Sequence, residues 1–154
     1  MKNRRKNYQT QWAGQFGAAH ELSRRGYLVA FTSGNAPAAD LLCQSPQGVS
    51  FSVEVKSLTV KTYFLYSKSL LKSNPNRFVV FVFLQPLPQN GKLLPPEYYI
   101  LTDKQFRQVV AEQDLLAKEA VKRRGKPYAA FAPGINYPTL TRHNYHDAWG
   151  NLPQ

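Results

Sequence analysis

An apolar run near the middle of the chain, Arg77 to Leu84 (RFVVFVFL), constrains the fold more than any other segment. Its residues are almost all β-branched or aromatic, a pattern typical of a central strand that is buried on both faces. Such a strand needs other elements to cover each face of its sheet. The run therefore predicts a sheet enclosed by helices, and it excludes an all-α chain.

Residues 49–57 (VSFSVEVKS) give the clearest alternation of apolar and polar side chains. Phe51, Val53 and Val55 alternate with serine, Glu54 and Lys56, which predicts a strand with one face in the core. Composition predicts further strands at 27–32, 40–44 and 98–101, a hairpin turn at 45–48, and an extension of the sheet at 60–66.

Two longer helices are predicted to flank this sheet. The apolar residues from Trp12 to Leu22 follow helical spacing, which predicts a helix from Thr10 to Arg25 that stops at Gly26. A second helix is capped by Thr102 and Asp103 and runs to about residue 121, and a short helix is expected at 67–73. The order of elements predicts an α/β fold with a mixed central β-sheet flanked by helices.

The 154 residues suffice for one compact domain but not for two. We expect a single domain over 1–154, in which 1–9 form a basic, flexible arm and 10–121 form the core. Residues 122–154, which contain KRRGK, are expected to form a basic C-terminal extension. No internal repeat or linker divides the chain.

The charge balance indicates a polyanionic partner. Twenty Lys and Arg against nine Asp and Glu leave a formal net charge of +11. The single cysteine, Cys43, excludes an internal disulfide, which fits a reducing compartment. No apolar run approaches the roughly 20 residues that span a bilayer, and the basic N-terminus lacks the apolar core of a signal peptide. We therefore expect a cytoplasmic protein that does not bind membranes.

Two acidic residues, Asp40 and Glu54, interrupt a long basic stretch between Leu22 and Pro96. Glu54 and Lys56 are two apart on a strand and project from one face, and a short hairpin would bring Asp40 alongside. Two adjacent carboxylates repel each other unless a cation intervenes, and Mg²⁺ suits a site of oxygen ligands. With the Lys56 ammonium nearby, this set favours metal-assisted phosphodiester hydrolysis. The alternative is that both acids form ordinary ion pairs.

The segments SGNAPAADLL and VEVKS, with the leading GQFGAAHELSRRGYLV, resemble the PD-(D/E)xK nuclease superfamily over roughly residues 12–110. The resemblance implies a restriction-endonuclease-like core, with Asp40 and Glu54 as metal ligands and Lys56 as the catalytic lysine. It also implies that the main-chain carbonyl of Val55 is a further ligand, and that Mg²⁺ is the cofactor, with Mn²⁺ able to substitute.

Two positions differ from the usual pattern of that superfamily, and many of its members tolerate the first difference. Its motif proline stands three residues before the aspartate, at Pro37, and is not adjacent to it. Related sequences often carry a glutamate on the first helix, and the corresponding position here is Gln15. A neutral amide can still act as a ligand through its oxygen or orient a water, but it adds no charge, so some loss of metal affinity or of activity is expected.

The expected function is that of a Mg²⁺-dependent endonuclease acting on DNA, as a homodimer or homotetramer that matches two strands. Two alternatives stay open: a nucleic-acid-binding module on the same fold with weak or no catalysis, and a protein-interaction component of a mobile-element or defence system. The residues expected to contact nucleic acid are Ser33, Asn35, Lys61, Lys68, Lys72, Arg77, Arg123 and Arg124.

Overall fold

The computed structural model describes residues 2–32, 39–86, 91–126 and 133–154. Within these ranges the elements follow the order α1 (Lys2–Arg24), β1 (Leu28–Phe31), β2 (Leu41–Gln44), β3 (Ser50–Leu58), β4 (Tyr63–Leu65), a 3₁₀ turn (Lys68–Leu71), β5 (Arg77–Phe83), β6 (Glu97–Thr102), α2 (Asp103–Arg124), β7 (Gly134–Asn136), α3 (Tyr137–Thr141) and a second 3₁₀ turn (Trp149–Asn151).

The central sheet has five described strands in the order β1-β2-β3-β5-β6. The β3–β5 pair is parallel and the other three pairs are antiparallel, so the sheet is mixed. Helices α1 and α2 contact this sheet. The predicted α/β class and the mixed sheet flanked by helices are thus confirmed.

Strand β5 lies inside the sheet and is buried throughout, as its apolar run predicted. Val80 and Val82 belong to a core cluster with Leu22 of α1. Val79 and Phe81 point to the other face and join a second cluster with α2. The period of two along the strand therefore divides its side chains between two cores, one under each helix.

The prediction that residues 60–66 extend the central sheet is wrong for strand β4. It pairs with β7 in a separate two-stranded sheet, in which Phe64 lies opposite Ile135. Phe64 is buried and packs edge-on against Phe81 of the central sheet, with ring centroids 4.9 Å apart. The segment is extended, as its composition indicated. It packs on a face of the central sheet, where it buries apolar side chains such as Phe81.

Helix α1 corrects the prediction of a flexible arm at residues 1–9. The helix already begins at Lys2 and continues without interruption to Arg24, after which Gly26 adopts a positive φ of 88°. Residues 2–9 contain no glycine or proline that would stop the helix earlier.

Helix α2 begins with the predicted cap. The Thr102 hydroxyl accepts a hydrogen bond from the Gln105 main chain, whose side chain bonds back to the Thr102 amide in a capping box. The helix ends at Arg124, three residues beyond the predicted end, before Gly125 in the left-handed conformation. In the final segment, Trp149 and Leu152 fill the first core and Ile135 and Leu140 fill the second.

None of the helices in the described ranges has the length and apolar character required to cross a bilayer.

Candidate active site

Asp40 stands immediately before β2, at the end of that strand past which β3 continues to Leu58. Its main-chain amide donates to the Val53 carbonyl, and its carbonyl accepts from the Thr32 amide, both at 3.0 Å. The Thr32 hydroxyl donates to the carbonyl of Ala39 at 2.6 Å. The Asp40 backbone is therefore fixed between two neighbouring strands.

The Asp40 carboxylate is held by a donor on each oxygen. Oδ2 accepts from the Val55 main-chain amide at 2.8 Å, and Oδ1 accepts from Nε2 of Gln15 at 2.6 Å. Because β2 begins only at Leu41, no β2 carbonyl accepts the Val55 amide of β3. The Asp40 carboxylate accepts that hydrogen bond instead. One carboxylate thereby joins α1 to the edge of β3.

Gln15 reaches this carboxylate because α1 lies unusually close to β3. A Cβ atom on Gly14 would stand 1.7 Å from the Ser57 hydroxyl oxygen, so only glycine permits this approach. The Gln15 side chain is buried at the contact. The position that corresponds to a glutamate in the resembling family thus lies against Asp40.

Glu54 and Lys56 occupy the same face of β3, opposite Val79 and Phe81 of β5 in the parallel register. Their side chains form an ion pair between Lys56 Nζ and Glu54 Oε1. Glu54 is 8% exposed, whereas the Lys56 side chain keeps 22% of its surface open to solvent. The strand alternation buries Val53 and Val55 in the core below α1.

Electrostatics connects the two carboxylates. Burial raises the pKa of Asp40 above its ordinary value, and the Glu54 charge raises it further. The hydrogen bond from the Val55 amide and the charge of Lys56 partly offset this increase. The Glu54 charge therefore opposes ionisation of Asp40, a condition that a bound cation relieves.

Three oxygen groups around Asp40 could hold a metal: the carboxylates of Asp40 and Glu54 and the main-chain carbonyl of Val55. A strand residue directs its N–H and C=O to the same edge, so the Val55 carbonyl faces the edge where Asp40 accepts its N–H. Each Asp40 oxygen retains a lone pair beyond its hydrogen bond. This donor set fits a hard cation that keeps several waters, as Mg²⁺ does.

Histidine, cysteine and carboxylate side chains do not cluster in threes as a metal site anywhere in the described ranges. The remaining ligands at Asp40 and Glu54 would therefore be carbonyl oxygens and water.

A cleft of about 500 Å³ opens beside Lys56. It lies between the N-terminal half of α1, the end of β3 and strand β4, and its wall includes Asn7, Gln11, Lys56, Ser57, Thr59 and Tyr63. Asn7, Gln11 and Gln15 are spaced four apart, so one polar stripe of α1 runs from the cleft to Asp40. The sequence analysis did not identify Asn7 and Gln11 as site residues, and Asn7 falls in the predicted arm. Their spacing of four from Gln15 is the pattern that could have identified them.

The residues predicted to contact nucleic acid have different surroundings. Lys68, Lys72, Arg123 and Arg124 are exposed, and the exposed Lys61 places its ammonium 5.0 Å from the ring centre of Tyr137. Ser33, Asn35 and Pro37 lie outside the described residues.

The prediction that Arg77 contacts nucleic acid is wrong. Its side chain is only 3% exposed and cannot reach a phosphate. Its guanidinium donates to the carbonyls of Leu70 and Lys72 at 2.6 and 2.8 Å and forms a buried ion pair with Asp103. Arg77 therefore anchors the first 3₁₀ turn to the start of α2.

Comparison of the chain with protein-family models, with curated proteins and with solved structures finds no match in any of the three.

Proposed function

We propose that this chain is a Mg²⁺-dependent endonuclease of the PD-(D/E)xK superfamily, with a restriction-endonuclease-like core, that hydrolyses DNA phosphodiester bonds. The observation that carries the proposal is the placement of Asp40. Its carboxylate accepts the Val55 amide while interacting electrostatically with the Glu54–Lys56 pair on the adjacent strand.

Asp40, Glu54 and the Val55 carbonyl would hold the ion. When bound, Mg²⁺ would acidify a water molecule and withdraw charge from a phosphoryl oxygen. Gln15 keeps one Asp40 oxygen oriented by donating to it at 2.6 Å. The protein thereby supplies a fixed carboxylate geometry and no third negative charge.

Lys56 places a positive charge beside Glu54 and borders the cleft. Its ammonium would orient the attacking water and stabilise the charge that develops on phosphorus, a role worth roughly 10²–10³ in rate for a single well-placed donor. The net charge of +11 would draw a polyanionic substrate into this region.

Nicking of supercoiled plasmid in the presence of Mg²⁺ tests the proposal. We expect cleavage that stops with EDTA and that falls at least about 100-fold in Lys56→Ala. Lys118→Ala, which changes an exposed lysine on α2 that is not among the expected nucleic-acid contacts, is the matched control and should retain activity. Nicking that resists chelation, or that survives unchanged in Lys56→Ala, would contradict the mechanism.

A second candidate is a nucleic-acid-binding module without turnover, and Gln15 is the observation that favours it. The amide leaves the site with two carboxylates, which weakens attraction for a divalent cation. Salt-sensitive DNA binding without cleavage would support this candidate. Absence of DNA affinity at physiological salt would instead favour a protein-interaction role in a mobile-element or defence system.

The predicted homodimer or homotetramer belongs to the same proposal, because a small domain that cuts both strands needs two active sites. Sedimentation velocity of the protein alone and with DNA measures the number of copies.

A further inference from the structure

Helix α1 carries an aromatic stripe beside its polar stripe. Tyr8, Trp12 and Phe16 are spaced four apart, and Phe31 of β1 extends the row. The Trp12 and Phe16 rings stack at 5.2 Å with an interplanar angle of 27°, and Phe16 meets Phe31 at 5.3 Å. These four rings, which we call the aromatic stripe, form one continuous surface.

The stripe faces outward, although aromatic side chains normally bury their large apolar area. Tyr8 is 61% exposed, Phe16 56% and Phe31 41%. None of the four rings belongs to either core cluster in the described part of the chain. The rings contact one another; Trp12 is half-buried, and the exposed surface of the other three is available to a ligand.

The charge of helix α1 favours an anionic ligand. No acidic residue precedes Glu21, whereas Lys2, Arg4, Arg5 and Lys6 all belong to the first turns of the same helix. A helix whose sequence combines exposed aromatic rings with a basic first segment matches single-stranded nucleic acid, whose bases stack on rings while its phosphates pair with cations. An apolar protein partner would not require this excess of positive charge.

The aromatic stripe also lies beside the polar row of α1 that reaches Asp40. Tyr8, Trp12 and Phe16 each directly follow a member of the polar stripe Asn7, Gln11 and Gln15, so the two rows are neighbours around the helix. The polar row borders the cleft at Asn7 and Gln11 and contacts Asp40 at Gln15. A strand whose bases stack on the aromatic row would have its backbone beside this cleft.

We propose that the aromatic stripe is a base-stacking surface for single-stranded DNA and that it selects substrates with an unpaired segment next to the scissile bond. The inference rests on the proposed nuclease function for its biological meaning. Binding of the strand requires only the stripe and the basic helix start, so it can be measured without catalysis.

The test measures fluorescence anisotropy of a labelled oligothymidine and of a blunt duplex, with EDTA present to prevent cleavage. The double variant Tyr8→Ala/Phe16→Ala should bind the single strand about tenfold or more weakly, since it removes two of the rings on which bases would stack. Leu115→Ala removes a comparably exposed apolar side chain from α2 and should bind as wild type does. Circular dichroism verifies that each variant is folded.

Trp12 provides a second readout that does not depend on the alanine variants. The single strand should quench part of the tryptophan emission of the wild-type protein. Trp12→Phe, which keeps an aromatic ring and leaves Trp149 as the remaining tryptophan, should lose that quenching but keep most of the affinity.

Equal oligothymidine affinity in the wild type and the double variant would overturn the inference. So would a double variant that changes only the sedimentation coefficient, because the stripe would then be a contact between two copies. Lys56→Ala separates the two proposals: if it and the wild type both bind the strand through the stripe but neither cleaves DNA, the base-stacking surface stands, while the nuclease function and the substrate selection fail.

Discussion

Gln15 donates a 2.6 Å hydrogen bond from its amide nitrogen to Oδ1 of Asp40, across the junction between α1 and the central sheet. The other oxygen of the same carboxylate accepts the Val55 amide. The ionised aspartate thus has two neutral donors, while Glu54 and burial both oppose its charge. The balance between these effects makes the site sensitive to pH, to metal and to substitution at residue 15.

Asp40→Asn tests how the raised pKa of Asp40 affects stability. A raised folded-state pKa means that the folded chain binds this proton more tightly than the unfolded chain does. Stability from this group is therefore present below the unfolded pKa and is lost as pH rises through the folded pKa. We expect the asparagine variant to lack this loss, so its advantage in free energy of unfolding over wild type should grow from acidic to neutral pH.

Urea unfolding at several pH values measures this effect. The variant can keep both hydrogen bonds if Gln15 turns its amide oxygen toward the NH₂ group of the new asparagine side chain. A difference in stability that stays constant over the whole pH range would show that the Asp40 pKa is not raised.

Gln15→Glu tests whether the missing carboxylate limits metal binding. The new carboxylate would replace a donor that lies 2.6 Å from Asp40, so without metal we expect a loss of about 1–3 kcal/mol in the free energy of unfolding. Mg²⁺ should reverse this loss, because a third anionic ligand strengthens binding of a hard cation. Calorimetric titration with Mg²⁺ and Mn²⁺ measures the affinity.

The matched control is Gln11→Glu, which adds the same charge one turn earlier on α1, beside the cleft but away from the Asp40 contact. If both variants gain equal metal affinity, only general charge is responsible and the ligand assignment is wrong.

Gly14→Ala tests the close approach that positions Gln15. The added methyl group would overlap the Ser57 side chain, so α1 must move outward, at a cost of roughly 1–3 kcal/mol in stability. Gly150→Ala is the control, because nothing lies within 4 Å of a Cβ atom there. Thermal unfolding compares the two, and similar melting temperatures would contradict the packing described between α1 and β3.

Local patterns in the sequence were sufficient for the elements that form the sheet. The alternation in 49–57 and the apolar run at 77–84 identify β3 and β5, because burial on one face or on both leaves a distinct period. The same reasoning placed Glu54 and Lys56 on one face. The short hairpin between β2 and β3 also places Asp40 where its carboxylate accepts the Val55 amide and interacts electrostatically with Glu54 and Lys56.

Features that depend on distant partners could not be read in this way. β4 pairs with β7, which follows it only after β5, β6 and α2, and no local pattern specifies that pairing. Arg77 resembles any other lysine or arginine in the sequence, but burial against Asp103 and two carbonyls gives it a structural role. The exposed aromatic row on α1 has the spacing of a core-facing row, because helical spacing does not say which face is covered.

Alanine substitution should lower stability strongly at Arg77 and hardly at all at Lys68 and Lys72. Among the described residues, Arg77→Ala leaves the buried Asp103 with Arg107 as its one cationic partner, so we expect a loss of about 3–5 kcal/mol in stability. Lys68→Ala/Lys72→Ala removes two exposed charges and should change stability by less than about 0.5 kcal/mol.

DNA affinity at a series of salt concentrations completes the comparison. If the whole surface contacts about six phosphates, the log-log slope of affinity against salt is about −5, and the double lysine variant should make it shallower by about 2. Arg77→Lys, the milder change, should leave the slope at the wild-type value, because residue 77 is buried. A shallower slope in Arg77→Lys, or an unchanged slope in the lysine variant, would reverse the assignment of these basic residues.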